Sequence, residues 1–385
     1  MNWKHLPLRL RKWHRRHQLT GGYPSWYRNV LSRCKDLQDL PEGPVPGESE
    51  WLQRWRHYDR SVKPYSYRIF SHYIGFQPDI APLELIAGIV EPVLNPPELV
   101  SYYQDKNSFD KVYAGLPMPA TLLRCIEGTY FDASYHVVTD LADVAAALQT
   151  VAACVVKPTQ GYGGEGIRRF IRQGDQLIDR QGTPMDVARM RALFGNDFIV
   201  QNLVEQSPFI AHLNASSVNT IRIATYRDVK TEAIRLLGAV IRVGAQGNEV
   251  DNVHAGGRFI GVDLATGLIG QRAMDDIGES VTTFNGVDYK DSLLTIPHWD
   301  QVLSLARQVA QRNPHHRLLA LDIALKSDDQ PLLIEANVEA FGAWIFQYAS
   351  GPVFGQWTEE IFDYCYPRYL QLRTRIVYTK SNNYM

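Results

Sequence analysis

Asp322, Glu335 and Asn337 carry the chemistry most directly legible in this chain. Two apolar runs, 319–325 and 331–334, flank the polar stretch 326–330 in the pattern of a β-hairpin. With the turn centred between Asp328 and Asp329, Asp322 lies opposite Glu335. Side chains alternate along a strand, so Asn337 shares the face of Glu335. Two carboxylates and an amide oxygen then converge inside an apolar sheet. Buried like charges repel unless a cation separates them. Three hard oxygen ligands imply Mg²⁺, with Mn²⁺ as the alternative ion. Mg²⁺ keeps waters and takes further ligands from substrate phosphates, so the hairpin predicts a nucleotide site. The competing reading is a hairpin with polar residues on a solvated face. Ile323, Leu325, Leu333 and Ile334 argue instead for burial on both faces.

A partner for phosphates stands earlier in the chain. Lys157 ends the apolar run 151–156 and is followed by Gly161, Gly163, Gly164 and Gly166. One cation beside several close-approaching backbone N–H groups suits a polyphosphate. The glycines also match GxGxxG, which alone is a weak signal. A dinucleotide-binding turn opens a helix, whereas 167–171 alternates apolar and basic residues like a strand. A protein-kinase loop places its lysine after the loop and needs HRD and DFG partners, which are absent. Strand, lysine, glycine loop and strand describe a flap over ATP. Arg222 lies in an alternating strand with Ile221 and Ile223 on the other face. It needs an anion: a phosphate, a substrate carboxylate, or a structural Asp or Glu. His254 reads equally as a phosphate donor, a substrate-orienting group or a core histidine. Arg258, beyond Gly256 and Gly257, is a second candidate anion contact. Lys106 at a helix start is, taken alone, a solvated surface residue. Phe341 and Trp344 read as aromatic core before they read as an acceptor pocket.

The elements that must position these groups are of both kinds. Residues 1–97 read as helices and loops, with 40–47 irregular and the proline-rich 92–97 a domain boundary. Further helices are expected over 105–113, 139–150 and 299–312. In the last, Val302, Leu305, Ala306 and Val309 line one face. Strands are expected at 151–156, 198–200, 220–227 and 236–243, and a hairpin over 259–267 with Asp263 starting its turn.

With 385 residues and 45% apolar content, the chain can bury two or three subdomain cores. A net charge of -1 excludes a general polyanion binder, and so a nucleic-acid partner. Cys34, Cys125, Cys154 and Cys365 lack CxxC spacing, which argues against zinc and a disulfide framework and for a reducing cytoplasm. No apolar run reaches the ~20 residues of a membrane span, and no signal-peptide pattern begins the chain. Residues 1–17 hold Lys4, Arg9, Arg11, Lys12, Arg15 and Arg16 without an acidic residue. Trp3, Leu6, Leu10 and Trp13 add a helical stripe suited to the inner face of an anionic membrane. Pro7 interrupts that stripe and favours a helix packed on the protein or on a dimer mate.

The order of these pieces resembles the ATP-grasp superfamily over about residues 100–350. The series runs Asp105-Lys106 before Gly115-Leu-Pro-Met-Pro119, then Lys157-Pro158 with its glycines, the hinge Gln201-Asn202-Leu203-Val204, and Asp322 with Glu335-Ala336-Asn337. D-alanine–D-alanine ligases and ribosomal-protein glutamate ligases show the same series. Ser217-Val-Asn219-Thr220-Ile-Arg222 and Asp251-Asn252-Val-His254-Ala-Gly256-Gly257, with 67–75 and 92–95, resemble the sugar-transfer-associated ATP-grasp subfamily.

That resemblance implies an α+β protein with two subdomains clamping ATP: a helical region 1–100, a flap-bearing subdomain 101–200, a hairpin-bearing subdomain 201–365 and a tail 366–385. It implies an ATP-dependent carboxylate–amine ligase working through an acyl phosphate. The carboxylate would be a uronic acid, on a nucleotide sugar or lipid-linked glycan, joined to an amino acid or amine in surface-polysaccharide synthesis. Lys106, Lys157 and the glycines would hold phosphates. Gln201, Asn202, Leu203, Val204 and Glu205 would hold the nucleoside; Asn202 replaces an acidic residue, leaving Glu205 as a candidate for the ribose. Asn219, Thr220, Arg222, Asn252, His254, Gly256 and Gly257 would meet substrate, with Arg222, Lys157, His254 and Arg258 acting in catalysis. No side chain stands out as a base for the amine. The alternatives are a peptide or metabolite ligase, a phosphotransferase on the same fold, and a non-catalytic scaffold for glycan assembly.

Overall fold

The structure is a computed structural model that describes residues 23–33, 45–160, 164 and 166–371. The basic N-terminal stretch, Gly161, Gly163 and residues 372–385 of the tail lie outside them. Two seven-stranded antiparallel sheets carry the molecule. The first is built from β1 (Thr121–Ile126), β2 (Thr129–Phe131), β3 (Val137–Val138), β4 (Ala153–Pro158), β5 (Arg168–Gln173), β6 (Gln176–Asp179) and β7 (Phe198–Asn202), in the order β3-β2-β1-β7-β4-β5-β6. The second takes β8 (Thr220–Arg227), β9 (Ile234–Val243), β10 (Arg258–Val262), β11 (Ala273–Met274) and β12 (Ser280–Val281). A separate two-stranded piece, β13 (Thr283–Phe284) with β14 (Val287–Asp288), follows. The second sheet is completed by β15 (Leu318–Leu325) and β16 (Pro331–Asn337), in the order β12-β11-β10-β9-β8-β15-β16.

Alternation along the strands sorts the second sheet into two faces. Ile221, Ile223, Ile241, Ile260, Leu319, Leu321 and Ile323 enter one core. The helix Trp299–Gln311 covers it with the expected stripe of Val302, Leu305, Ala306 and Val309. On the other face, Ala224, Tyr226, Val240, Phe259, Leu318 and Ala320 join a core with Trp51, Trp55, Phe70, Phe346, Tyr348 and Phe362. The described helices before residue 95 therefore share one core with the segment 341–365. A third core, with Cys154, Val156 and Phe198, lies behind the first sheet under the helix Leu141–Gln149.

Local differences from the sequence reading have local causes. The segment 105–113 is a 3₁₀ turn, Lys106–Ser108, followed by the short helix Phe109–Val112. The Asp105 side chain takes the Asn107 N–H, which favours the tighter turn. After β10, the Asp263 carboxylate closes its turn on the Ala265 and Thr266 N–H groups as a structural residue. The hairpin expected over 259–267 shrinks to a single bridge, Val262 to Ile269, and β10 pairs onward with β11 instead. The 92–97 break is buried in part: Asn95 bonds directly to the second sheet.

Candidate active site

The hairpin sets the geometry. β15 is buried along its whole length, and Asp322 faces Glu335 across the ladder as expected. The register is reached differently. Ile323, Ala324 and Leu325 pair with Leu333, Leu332 and Pro331, which centres the turn on Asp328. Ile334 is then an extra residue, a bulge between the Asp322 and Ile323 pairings, and it brings Glu335 opposite Asp322. Asn337 pairs with Ala320 on the same face, and its Nδ2 donates to the Ala320 carbonyl at 3.0 Å.

This face is the part of the second sheet that the helical core leaves uncovered. Along β8, Ala224 and Tyr226 enter that core, while Arg222 and Thr220 continue the face beyond it. Asp322, 2% exposed, pairs across with Arg222. The guanidinium grips it through two hydrogen bonds of 2.7 and 2.8 Å. Arg242 stands 3.6 Å from the same carboxylate and 2.7 Å from Asp251. Asp251 also accepts from the Thr220 N–H and hydroxyl. Burial alone would raise the Asp322 carboxyl, but Arg222 and Arg242 hold it below the usual carboxylate range. The charge thus compensated by arginines was expected to need a metal ion.

The first sheet supplies the opposite wall. Lys157, Ile199 and Arg124 stand side by side across β4, β7 and β1. They lie on the face away from the core of Cys154 and Val156. Lys157 is 8% exposed, and burial, then neighbouring Lys106, push it down to about 8. Lys106 is no solvated surface residue: its Nζ lies 2.9 Å from Glu335 of the other sheet, and its N–H bonds Thr159 just past Lys157. Arg124, fully buried, fastens the turn behind it through the Asn107 carbonyl and the Asp110 carboxylate.

Other expected residues divide. Lys157 leads into a loop that returns as β5, so strand, lysine, loop and strand hold. In that loop Gly164 has a positive φ of 81°, and a Cβ there would come within 3.0 Å of Val250; Gly166 sits on the same return. Gln201 and Asn202 end β7, and Leu203 N bonds back to the Ala153 carbonyl. Gln206 then bridges Lys326, so 201–206 is the crossover between sheets, with Glu205 exposed on it. Thr220 lies in the arginine network. Asn219 does not face the cleft. It is buried, its amide donating to Asn214 O and accepting from Ser217 and Gly244 N, which fastens the loop beneath. Asn252 caps the turn holding His254, and a Cβ on Gly257 would meet the Asn252 and Val243 carbonyls at 2.9 Å. Gly256 ends that turn. His254 Nδ1 lies 3.4 Å from Asp276, with Trp344 6.0 Å away by ring centroids. Trp344 is half-buried, whereas Phe341 is core. Arg258 belongs elsewhere. It precedes Phe259 on β10 and so points to the other face, donating to the Ala273 and Glu279 carbonyls.

Arg242 and Asp251 were missed as site residues. Arg242 left a trace, as the charged residue in phase with Val240 on an apolar strand. Among the described residues no three His, Cys, Asp or Glu side chains form a closed cage. Two carboxylates and an amide suit a hard ion that completes its shell from phosphate and water.

The family described as sugar-transfer associated ATP-grasp matches residues 90–361. No curated protein matches the chain. Solved structures similar to it include the ATP-grasp ligase PsnB complexed with a precursor peptide and AMPPNP, 14% identical over 83% of this chain and 75% of that one, with a TM-score of 0.38. D-cycloserine synthetase DcsG is 13% identical over 70% of this chain and 73% of its own, with a TM-score of 0.40. D-alanyl-alanine synthetase A from Vibrio cholerae O1 biovar eltor is 11% identical over 70% and 66%, with a TM-score of 0.39.

Proposed function

Because the chain belongs to the sugar-transfer-associated ATP-grasp family, we propose that it joins a carboxylate to an amine at the expense of ATP, through an acyl phosphate. The observation that carries this is the facing of two charged walls: Lys106 and Lys157 on one, and Glu335, Asp322 and Arg222 on the other. Direct amide formation from an ionised carboxylate and an ammonium is uphill in water, so the carboxylate needs activation. Its oxygen attacks the γ-phosphorus of ATP, and ADP leaves. The amine then attacks the acyl carbon, and phosphate leaves as the amide forms.

In this reading the ion pairs exchange partners. Lys106 and Arg222 would turn from Glu335 and Asp322 to the phosphates, and the freed carboxylates with Asn337 would hold Mg²⁺. The bound ion would neutralise charge developing on the phosphoryl oxygens. Lys157 and the glycine-loop N–H groups keep the transferring group in line. Val155 and Ile199, buried on the cleft side of the first sheet, offer an apolar floor for the base. The hinge backbone at Leu203 and Val204, with Glu205 near the sugar, completes the nucleoside site. The loop after Lys157 closes to keep water from the acyl phosphate.

For the carboxylate we favour a uronic acid on a nucleotide sugar or lipid-linked glycan, and for the amine an amino acid. The family's association with sugar transfer supports that class. The test incubates pure protein with Mg·ATP, nucleotide uronates and amino acids, and follows ADP and product mass. Amine-dependent ADP release with a mass gain matching an amide is expected. No ADP release with any carboxylate–amine pair, despite ATP binding, overturns the ligase reading; a phosphorylated hydroxyl product without amine makes the protein a phosphotransferase.

A further inference from the structure

The hairpin that holds Asp322, Glu335 and Asn337 has a closed end at its turn and an open end where its strands part. The last ladder pair at the open end is Ala320 with Asn337. Beyond it, backbone groups of Leu318 and Val338 lie buried and need partners. One side chain from far earlier in the chain supplies them. The Asn95 Nδ2 donates to the carbonyls of both Leu318 (2.5 Å) and Val338 (2.8 Å). Its Oδ1 accepts from the N–H groups of Leu318 (2.9 Å) and Arg317 (3.0 Å). The amide thus acts as one more peptide unit, linking the two strands across the gap.

Glu91 sits one helical turn before Asn95, whose N–H closes on the Glu91 carbonyl at 2.8 Å. Residues four apart lie on one side of a helical turn. The N–H groups of Phe341 and Ala340 favour the charged form of the Glu91 carboxyl. That places it on the turn leaving β16, where Ala340 (φ 51°) and Gly342 (φ 72°) are both left-handed. A Cβ on Gly342 would stand 3.7 Å from the Arg222 guanidinium, so this turn borders the charged cluster. The hairpin also contains a bulge, and a one-residue slip would turn its side chains over.

We propose that Glu91 and Asn95 are positioning residues that clamp the open end of the hairpin and so hold Asp322, Glu335 and Asn337 in one row beside Arg222. The clamp's link to ligand binding rests on the metal–nucleotide reading above. Neither residue touches the cleft groups; each acts through the backbone that carries them. Burial, then nearby Glu339, pushes the Glu91 carboxyl up to about 7 against the Phe341 and Ala340 N–H groups, and an uncharged amide oxygen can meet those N–H groups in its place. Gln is therefore a fair replacement at 91, and Ala is not.

The test compares Asn95→Ala, Glu91→Ala and Glu91→Gln in the full chain, with Mn²⁺ and AMPPNP as probes. The two alanine variants are expected to bind Mn²⁺·AMPPNP about 10–100-fold more weakly, as when partners of metal ligands are lost, with Glu91→Gln near the natural affinity. AMPPNP binding in EDTA should be unchanged in all three. Equal weakening with and without metal, or natural Mn²⁺·AMPPNP affinity in the alanine variants, overturns the proposal. If Asn95→Ala does not fold, the Glu91 pair decides. If the natural protein binds no Mn²⁺·AMPPNP, the nucleotide reading fails, and the clamp is judged by hydrogen exchange of residues 334–342 without ligand. Faster exchange in the alanine variants alone supports it; exchange equal to the natural protein's sinks it.

Discussion

At the residue scale, cations and carboxylates neutralise one another, and in the function we propose loading is an exchange of partners. Asp322→Asn leaves Arg222 one of its two hydrogen bonds and removes the charge. If Asp322 holds the ion, ATP turnover should fall by at least about 100-fold, the usual size of losing a transition-state electrostatic contact. Turnover left intact would remove Asp322 from the metal set. Arg222→Lys retains charge but not the two-pronged grip. Lys157 has its own signature. Its folded value of about 8 lies below the ordinary lysine value because burial and Lys106 disfavour its charge. A bound polyphosphate favours that charge and raises the value. Below pH 8 the lysine is already charged, so nucleotide affinity should be flat. Above it, binding must take up a proton, and affinity should fall as pH rises. Calorimetry in buffers of differing ionisation enthalpy reads that proton directly, and Lys157→Met should abolish it. Uptake that survives in Lys157→Met would assign the proton to another group. The type and spacing of Asp322, Glu335, Asn337 and Lys157 were legible in the sequence. The partners of Arg222 and Lys106 were not, because each lies far away in the chain.

At the element scale, the hairpin shows how a correct pairing can rest on a different local geometry. Counting residues around a symmetric turn places Asp322 opposite Glu335. The structure reaches the same pair through a turn half a residue earlier and a bulge at Ile334. Deleting Ile334 should therefore straighten β16 while leaving Glu335 opposite Asp322, because Leu333 opposite Ile323 is then followed directly by Glu335. The expected outcome is a folded protein with natural far-ultraviolet circular dichroism that still binds Mg·ATP in a calorimetric titration. Lost binding would mean that the bulge itself, and not only the pairing, sets the row of Asp322, Glu335 and Asn337. Arg258 teaches the complementary point. Its motif neighbours His254 and Gly257 are close in sequence, but strand parity sends its side chain to the opposite face. Motif membership identifies a segment; the pleat decides which of its side chains arrive.

At the scale of the whole molecule, the helices before residue 95 are part of the second sheet's core. Trp55, fully buried, packs 4.8 Å from Phe362 by ring centroids. Trp55→Ala should cost about 3–5 kcal/mol of stability, the range for aromatic truncation in a core. Urea unfolding should show that loss in the transition that also unfolds the second sheet. A separate, earlier transition confined to the helices would make them an independent unit. The sequence by itself determined the strand-forming runs, the amphipathic helix, the oxygen-bearing side chains of the hairpin and the lysine at the end of its strand. Those follow from residue type and short-range periodicity, which act within a few residues. Only the tertiary structure decided that Lys106 reaches Glu335, that Arg222 and Arg242 share Asp322, and that Asn95 closes the hairpin's open end. Those contacts join residues 80 or more positions apart, and neither charge pairing nor hydrogen bonding leaves a periodic mark along the chain. Asp322, Glu335 and Asn337 were readable as candidate ligands, but what holds them in place was settled by how the two sheets and the helical layer pack.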